Sequence, residues 1–180
     1  MHNDVIINIR QAPGNDLIRQ LKDGSLDVAF VDNMGADPHL AYWPCWTQEV
    51  ALVVNTQHPL AKKRSVSLTD LADHYLISYD LQGPLGAALT ALIDNYDLQV
   101  GCRYNDEITL ASIVMANPDV MAIACRSWLL DAYNNVCFIP IEEAPQHFRQ
   151  LYLAYHSNAQ QSQTVRRFIT LAQELFPSNN

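Results

Sequence analysis

Residues 108–127 read ITLASIVMANPDVMAIACRS. Ile108, Ala111 and Met115 recur at helical spacing, so Ile108–Ala116 is expected as a helix. Asn117-Pro118-Asp119 interrupts it with turn residues. Val120–Cys125 then runs unbroken and apolar at strand length. That is the signature of a strand covered on both faces, as parallel sheets require. Ser127 is placed to cap a further helix over Ser127–Tyr133. Helix, buried strand and helix in succession point to an α/β fold.

The same alternation extends in both directions. Upstream, Val100–Tyr104 and Tyr75–Ser78 read as strands. Between them Gly86–Asn95 carries a helical stripe of Leu89, Leu92 and Ile93 beside Leu85, and Gly83-Pro84 marks a loop. Ser67 caps a short helix, and Asp70 three residues on completes a capping-box-like arrangement. Val50–Val54, Val28–Val31 and Val5–Ile9 are further strands. Asp16 caps a helix that runs to Lys22 and stops at Gly24. Downstream, Val136–Ile139 and Leu151–Tyr155 are strands, and Val165–Phe176 is a closing helix. There is no internal repeat. Such alternation predicts mostly parallel sheets.

Pro140–Pro145 reads as a crossover segment. With the Ile77–Ser78 region it frames residues 78–148 as a lobe inserted into another, a hinge architecture. Charge divides the chain at the same places. Residues 78–148 hold nine acids and two bases, Arg103 and Arg126, while the remainder holds ten acids and nine bases. A middle lobe distinct from its flanks is the expectation.

The 180 residues are 49% hydrophobic and 17% charged, enough to bury a core and unlike a disordered chain. A net charge of −8 excludes direct duplex binding by this stretch, which needs a basic face. The one basic run, Lys62-Lys63-Arg64 beside His58-Pro59, reads as a solvated loop. Cys45, Cys102, Cys125 and Cys137 form no C-x-x-C pair. Their apolar contexts read as buried free thiols in a reducing compartment. No apolar run approaches the ~20 residues of a membrane span. Met1–Val5 lacks the basic and apolar regions of a secretory signal. The expectation is a soluble, cytoplasmic chain with no membrane partner.

Catalytic motifs are absent. There is no dinucleotide, P-loop or nucleophile-elbow fingerprint, and Gly83-Pro84-Leu85-Gly86 is too short and stiff to cradle phosphates. The histidines are scattered, none at metal-ligand spacing, so no metal and no cofactor is expected. Asp106-Glu107 opens a helix, where two carboxylates could do acid–base work. Acids there also favour the helix macrodipole, and no nucleophile or partner base stands nearby in sequence, so the chain does not read as an enzyme. Glu142-Glu143 reads as a solvated turn, and Trp43 and Trp46 as packing aromatics. A binding reading remains. Ligands of open α/β sheets sit at carboxyl ends of strands, near helix N-termini. That rule selects Gln11–Asn15, Asp32-Asn33, Ser78–Gln82, Asn105–Thr109 and Cys125–Ser127.

These residues resemble a known family. Leu21-Lys22-Asp23-Gly24-Ser25-Leu26-Asp27-Val28-Ala29 is similar to the "L-x-x-G-x-L-D-hydrophobic-A" stretch of LysR-type transcriptional regulators. Glu49–Val54 with His58-Pro59-Leu60-Ala61 resembles their "E-x-x-x-L-V-V…H-P-L-A" segment, and Val66–Leu71 their "hydrophobic-S-L-x-D-L". Val114–Ile123 resembles "V-x-A-G-x-G-hydrophobic-A-hydrophobic", with Asn117 and Asp119 in place of the two glycines. Asn tolerates the left-handed turn such glycines serve, Asp less so. Arg149–Leu153 is similar to the return strand. The order of these motifs over nearly the whole chain carries the resemblance.

The resemblance implies an effector-binding domain of type 2 periplasmic-binding-protein-like fold, two α/β lobes joined by two crossover strands. Lobe I would be 1–77 and 149–180, lobe II 78–148. By element count, lobe I lacks its first strand and helix, and the family's winged helix-turn-helix lies outside this sequence. The implied function is small-molecule sensing in the interlobe cleft, biasing a homodimer or homotetramer and the DNA held by that absent segment. The implied effector contacts are Gln11, Gly14 and Asn15 in lobe I, and Ser78, Tyr79, Asn105, Glu107, Thr109, Cys125 and Arg126 in lobe II. Arg126 would suit an anionic effector; the acidity of lobe II would suit a neutral or cationic one. A stand-alone solute-binding protein and an enzyme on the same fold are the competing readings.

Overall fold

The computed structural model describes residues 5–32, 35, 37–157 and 161–177. In chain order its elements are α1 (Gly14–Lys22), β1 (Val28–Asp32), β2 (Leu40–Gln48), β3 (Val50–Asn55), β4 (Leu76–Tyr79), α2 (Gly83–Ile93), β5 (Val100–Tyr104), α3 (Glu107–Ala116), β6 (Met121–Cys125), β7 (Val136–Pro140), β8 (Arg149–His156) and α4 (Gln163–Leu175). They divide into two compact units. Unit 1 is Met1–Trp46 with Gln150–Asn180, and unit 2 is Thr47–Arg149. The chain therefore first crosses after Trp46, within β2, and not near Ile77. It crosses back at the start of β8, not in Pro140–Pro145. Ile141 instead bridges to Val66 inside unit 2.

Unit 1 is built on a three-stranded sheet in the order β1-β8-β2. β1 runs antiparallel to β8, from Val28 opposite Tyr155 to Asp32 opposite Leu151. Side chains of β1 alternate between faces. Ala29 and Val31 pack with Leu21 of α1, Leu40 and Ala154. On another layer Ile169 and Ala172 of α4 pack on Leu153, flanked by Val28 and Trp43. α1 starts after Pro13; Asp16 lies inside its first turn and pairs with Arg19 at 2.8 Å. The aromatics do pack: Trp46 lies 5.1 Å from Phe30 and 5.5 Å from Phe176, and Trp43 Nε1 donates to the Phe176 carbonyl.

Val5–Ile9 is not a strand. It lies outside any sheet, with Ile6 87% and Ile9 92% exposed. Its apolar alternation is strand-like, but among the described residues β1 pairs only with β8, so no ladder adjoins this segment.

Unit 2 carries a five-stranded sheet, β5-β4-β6-β3-β7. It is mixed and not mostly parallel. β4 runs parallel to β5 and β6, whereas β3 is antiparallel to both β6 and β7. Every residue of β3 and β6 is buried, because both faces are covered. Leu52, Leu76, Leu110, Val114, Met121 and Ile123 belong to this core. Each such side chain stabilises by about 1.5–3 kcal/mol relative to exposure.

Local details revise several readings. Gly83-Pro84 is the first turn of α2 and not a loop, with Pro84 where a missing N–H costs nothing. Ser67 caps a 3-10 helix over Leu68–Leu71 by accepting from the Thr69 N–H. Asp70 turns away to Lys63 at 2.9 Å, and Glu143 takes the capping place by accepting from the Leu68 N–H. Ser127 precedes a 3-10 helix, Trp128–Ala132, with no side-chain cap. Asn117 is extended at φ −135°, so the replaced glycines serve no left-handed turn here.

Candidate functional site

The registers of unit 2 bring five strand ends to one edge of its sheet. Tyr79 stands opposite Tyr104 where β4 and β5 finish in parallel. β6 runs the same way and ends at Cys125. β3 runs the other way with Val50 opposite Cys125, so its beginning lies on the same edge. β7 ends there too, Pro140 opposite Ala51. Asp80, Asn105, Glu107 and Arg126 leave this rim, and Glu49 enters it.

Tyr79 ties the rim together. Its buried hydroxyl accepts from the Cys125 N–H at 3.1 Å and donates toward Glu107 Oε2 at 3.5 Å. Burial pushes its phenol well above the usual tyrosine range, with Cys125 and Glu107 adding to the effect. It is therefore a neutral donor. Ser78 Oγ, also buried, donates to the Ile123 carbonyl at 2.9 Å. Asp106 is the N-cap of α3, accepting from the Thr109 N–H at 2.8 Å and the Thr109 hydroxyl at 2.9 Å. Arg103 donates to the Tyr79 carbonyl at 3.3 Å.

The expected contacts thus separate into two groups. Ser78, Tyr79 and Thr109 commit their hydroxyls to the protein, and Cys125 is buried. Asn105 and Arg126 are exposed and Glu107 is half-buried at the rim. Asn105 makes no side-chain hydrogen bond among the described residues. Arg126 reaches Asp131 only at 3.7 Å. Gln11, Gly14 and Asn15 belong to unit 1, where Gln11 and Asn15 are exposed and Gly14 begins α1. Asn33 lies outside the described residues.

A cavity of about 190 Å³ opens on the β6-β3-β7 part of the rim. Glu49 and Arg126 are its charged lining, and Val50, Phe138, Pro140 and Ile141 form its apolar wall. The Arg126 N–H donates to the Glu49 carbonyl at 2.7 Å. Buried Gln48 donates to the Arg126 carbonyl at 3.4 Å and accepts from Arg149 at 3.1 Å. Thr47 Oγ1 lies 3.1 Å from His147 Nδ1. These bonds link the Arg126 loop to both places where the chain passes between units. Glu49 and the cavity escaped sequence reading because a strand assumed parallel would begin at the opposite edge. The signal was present: Glu49 directly precedes the apolar run of β3.

None of the four cysteines forms a disulfide. Cys125 is buried; burial raises the half-buried thiols of Cys45 and Cys137; Cys102, contrary to expectation, is exposed beside the Tyr75 hydroxyl at 3.3 Å. Among the described residues no group of acids, histidines and cysteines could hold a metal ion, and no helix is long and apolar enough to cross a membrane.

The sequence profile of the LysR substrate binding domain family matches residues 1–177. The chain belongs to that family. It is a LysR-type effector-sensing regulatory domain. Its α/β fold with mixed sheets is the type 2 periplasmic-binding-protein-like fold of LysR effector-binding domains. This LysR domain is 28% identical to the effector binding domain of QuiR, solved in complex with shikimate. The TM-score is 0.75, covering 91% of this chain and 78% of that one. It is 32% identical over 73 residues to the HTH-type transcriptional regulator YtlI of Bacillus subtilis (strain 168), covering 41% of this chain and 24% of that protein. It is 24% identical over 152 residues to the HTH-type transcriptional regulator MetR of Buchnera aphidicola subsp. Schizaphis graminum (strain Sg), covering 83% and 48%. The LysR domain spans about a quarter to a half of the length of these curated relatives.

Proposed function

We propose that this LysR domain senses its effector at the rim of unit 2, through Arg126, Asn105 and Glu107. On unit 1, Gln11, Gly14 and Asn15 are the proposed contacts. Ser78, Tyr79, Thr109 and Cys125 are reassigned as the frame that holds the rim. The observation that carries this reading is the division of labour at the rim. Framework hydroxyls are satisfied within the protein, while Asn105 and Arg126 face outward. The shikimate complex of the QuiR domain supports a small carboxylate as the kind of ligand. In the parent regulator, effector binding would bias a homo-oligomer and the DNA held by a helix-turn-helix elsewhere in that protein. The effector can do so only by binding one arrangement more tightly than the other. The compartment is the cytoplasm, where the DNA is, and the role is regulatory without catalysis.

Thermal unfolding with shikimate and other small hydroxy acids tests this. A ligand at one hundred times its Kd adds about 2.7 kcal/mol of stability. The expected result is a rise in melting temperature for the wild type that is lost in Arg126→Ala. An equal rise in both would remove Arg126 from the site. No rise with any small carboxylate would overturn sensing of this ligand class at the rim.

A further inference from the structure

We infer that the cavity beside Arg126 is built for a zwitterion: a free α-amino acid with a small apolar side chain. The inference rests on the sensing role proposed above and names the ligand class. Its basis is the cavity's two opposite charges. Glu49 and Arg126 both line it, their backbones joined at 2.7 Å, yet their side chains form no ion pair among the described residues. Arg126 is only loosely engaged by Asp131 at 3.7 Å, with more than half of each side chain exposed. Glu49 is exposed and makes no side-chain hydrogen bond among the described residues.

A plain carboxylate at Arg126 leaves Glu49 without a partner, and a plain amine at Glu49 leaves Arg126 without one. A molecule carrying both groups a bond or two apart complements both. The guanidinium suits a carboxylate because its planar fork donates two parallel bonds. The remaining wall is apolar: Val50, Phe138, Pro140 and Ile141 offer methyl, ring and pyrrolidine surface. About 190 Å³ is roughly the liquid volume of six waters and falls below the ~300–1,000 Å³ of drug-sized sites. A nucleotide or a sugar phosphate is too large for this open-mouthed cavity; a single aliphatic amino acid fits it.

Placement supplies the link to sensing. The Arg126 carbonyl is held by Gln48, which also holds Arg149. Glu49 follows the outgoing crossing and Gln146, another lining residue, precedes the return. A ligand drawing Arg126 and Glu49 together acts on the strands through which the units are joined.

Isothermal titration of the whole chain with L-leucine, 4-methylpentanoate and isopentylamine separates the terms. L-leucine is expected to bind at least tenfold more tightly than either fragment. Arg126→Ala and Glu49→Gln, both at exposed positions that leave the core intact, are each expected to weaken leucine at least tenfold. Ala144→Phe, which fills the lining, is expected to abolish binding. Equal binding of acid and amino acid, or leucine affinity unchanged in Glu49→Gln, overturns the zwitterion assignment. Binding of shikimate without leucine overturns it and leaves rim sensing intact. Binding of none of these compounds overturns both.

Discussion

Replacing Tyr79 with Phe removes a hydroxyl that serves two neighbours at once. The Cys125 N–H loses its acceptor inside a buried sheet, and Glu107 loses a donor. The expected cost is about 1–3 kcal/mol in urea unfolding, the range for a buried hydrogen bond whose partner stays behind. The pH dependence carries a sign. Burial raises the phenol's pKa above its unfolded value near 10. The contribution is therefore complete below about pH 10 and declines as pH rises toward the folded-state value. The wild type should lose its advantage over Tyr79→Phe across that alkaline window; a constant difference up to pH 11 would show that the phenol is not buried as described. Residues of this kind divide in legibility. Asp106 was readable as a helix-start acid because capping is local chemistry. Tyr79 is expected from the sequence as an effector contact, whereas its hydrogen bonds join partners 28 and 46 positions away, which no local pattern encodes.

Gly86 shows how an element can depend on an absent side chain. A Cβ built there would stand 2.2 Å from the Leu81 carbonyl carbon, in the loop that enters α2. The obstacle is backbone and cannot swing aside. Ala is the better helix former by about 1 kcal/mol, yet Gly86→Ala is expected to lower stability by about 1–3 kcal/mol through overpacking. An unchanged or raised melting temperature would refute the close approach. Other elements were legible to differing degrees for physical reasons. β3 and β6 announced themselves because strands covered on both faces must be apolar throughout. The direction of β3 was not legible, since an apolar run reads the same both ways; its partners β6 and β7 lie far along the chain. β2 was missed because Pro44 and two tryptophans interrupt alternation, and only half-burial results. Val5–Ile9 has strand composition without a neighbour, and composition alone does not make a strand.

The charge step near residue 78 located a real difference in composition, but packing draws the units elsewhere. β3 and the segment through Leu71 contribute core residues to unit 2, so the first crossing falls after Trp46. Charge describes surfaces, whereas compact units follow buried contacts, and the two need not change at the same residue. The units also differ in how well their sheets are enclosed. In unit 2, β6 and β3 are paired on both edges and buried on both faces. In unit 1, β1 is paired only with β8 among the described residues, and Phe30 on it is 40% exposed. Amides that open only with the whole core report the full stability, while those on an unpaired edge open locally at lower cost. Hydrogen exchange read by mass spectrometry should find peptides spanning Met121–Cys125 among the slowest. Peptides spanning Val28–Asp32 should exchange at least tenfold faster, an opening free energy about 1.4 kcal/mol lower or more. Protection of Val28–Asp32 equal to that of Met121–Cys125 would mean that a further strand covers this edge in solution. The three-stranded description of unit 1 would then have to be replaced.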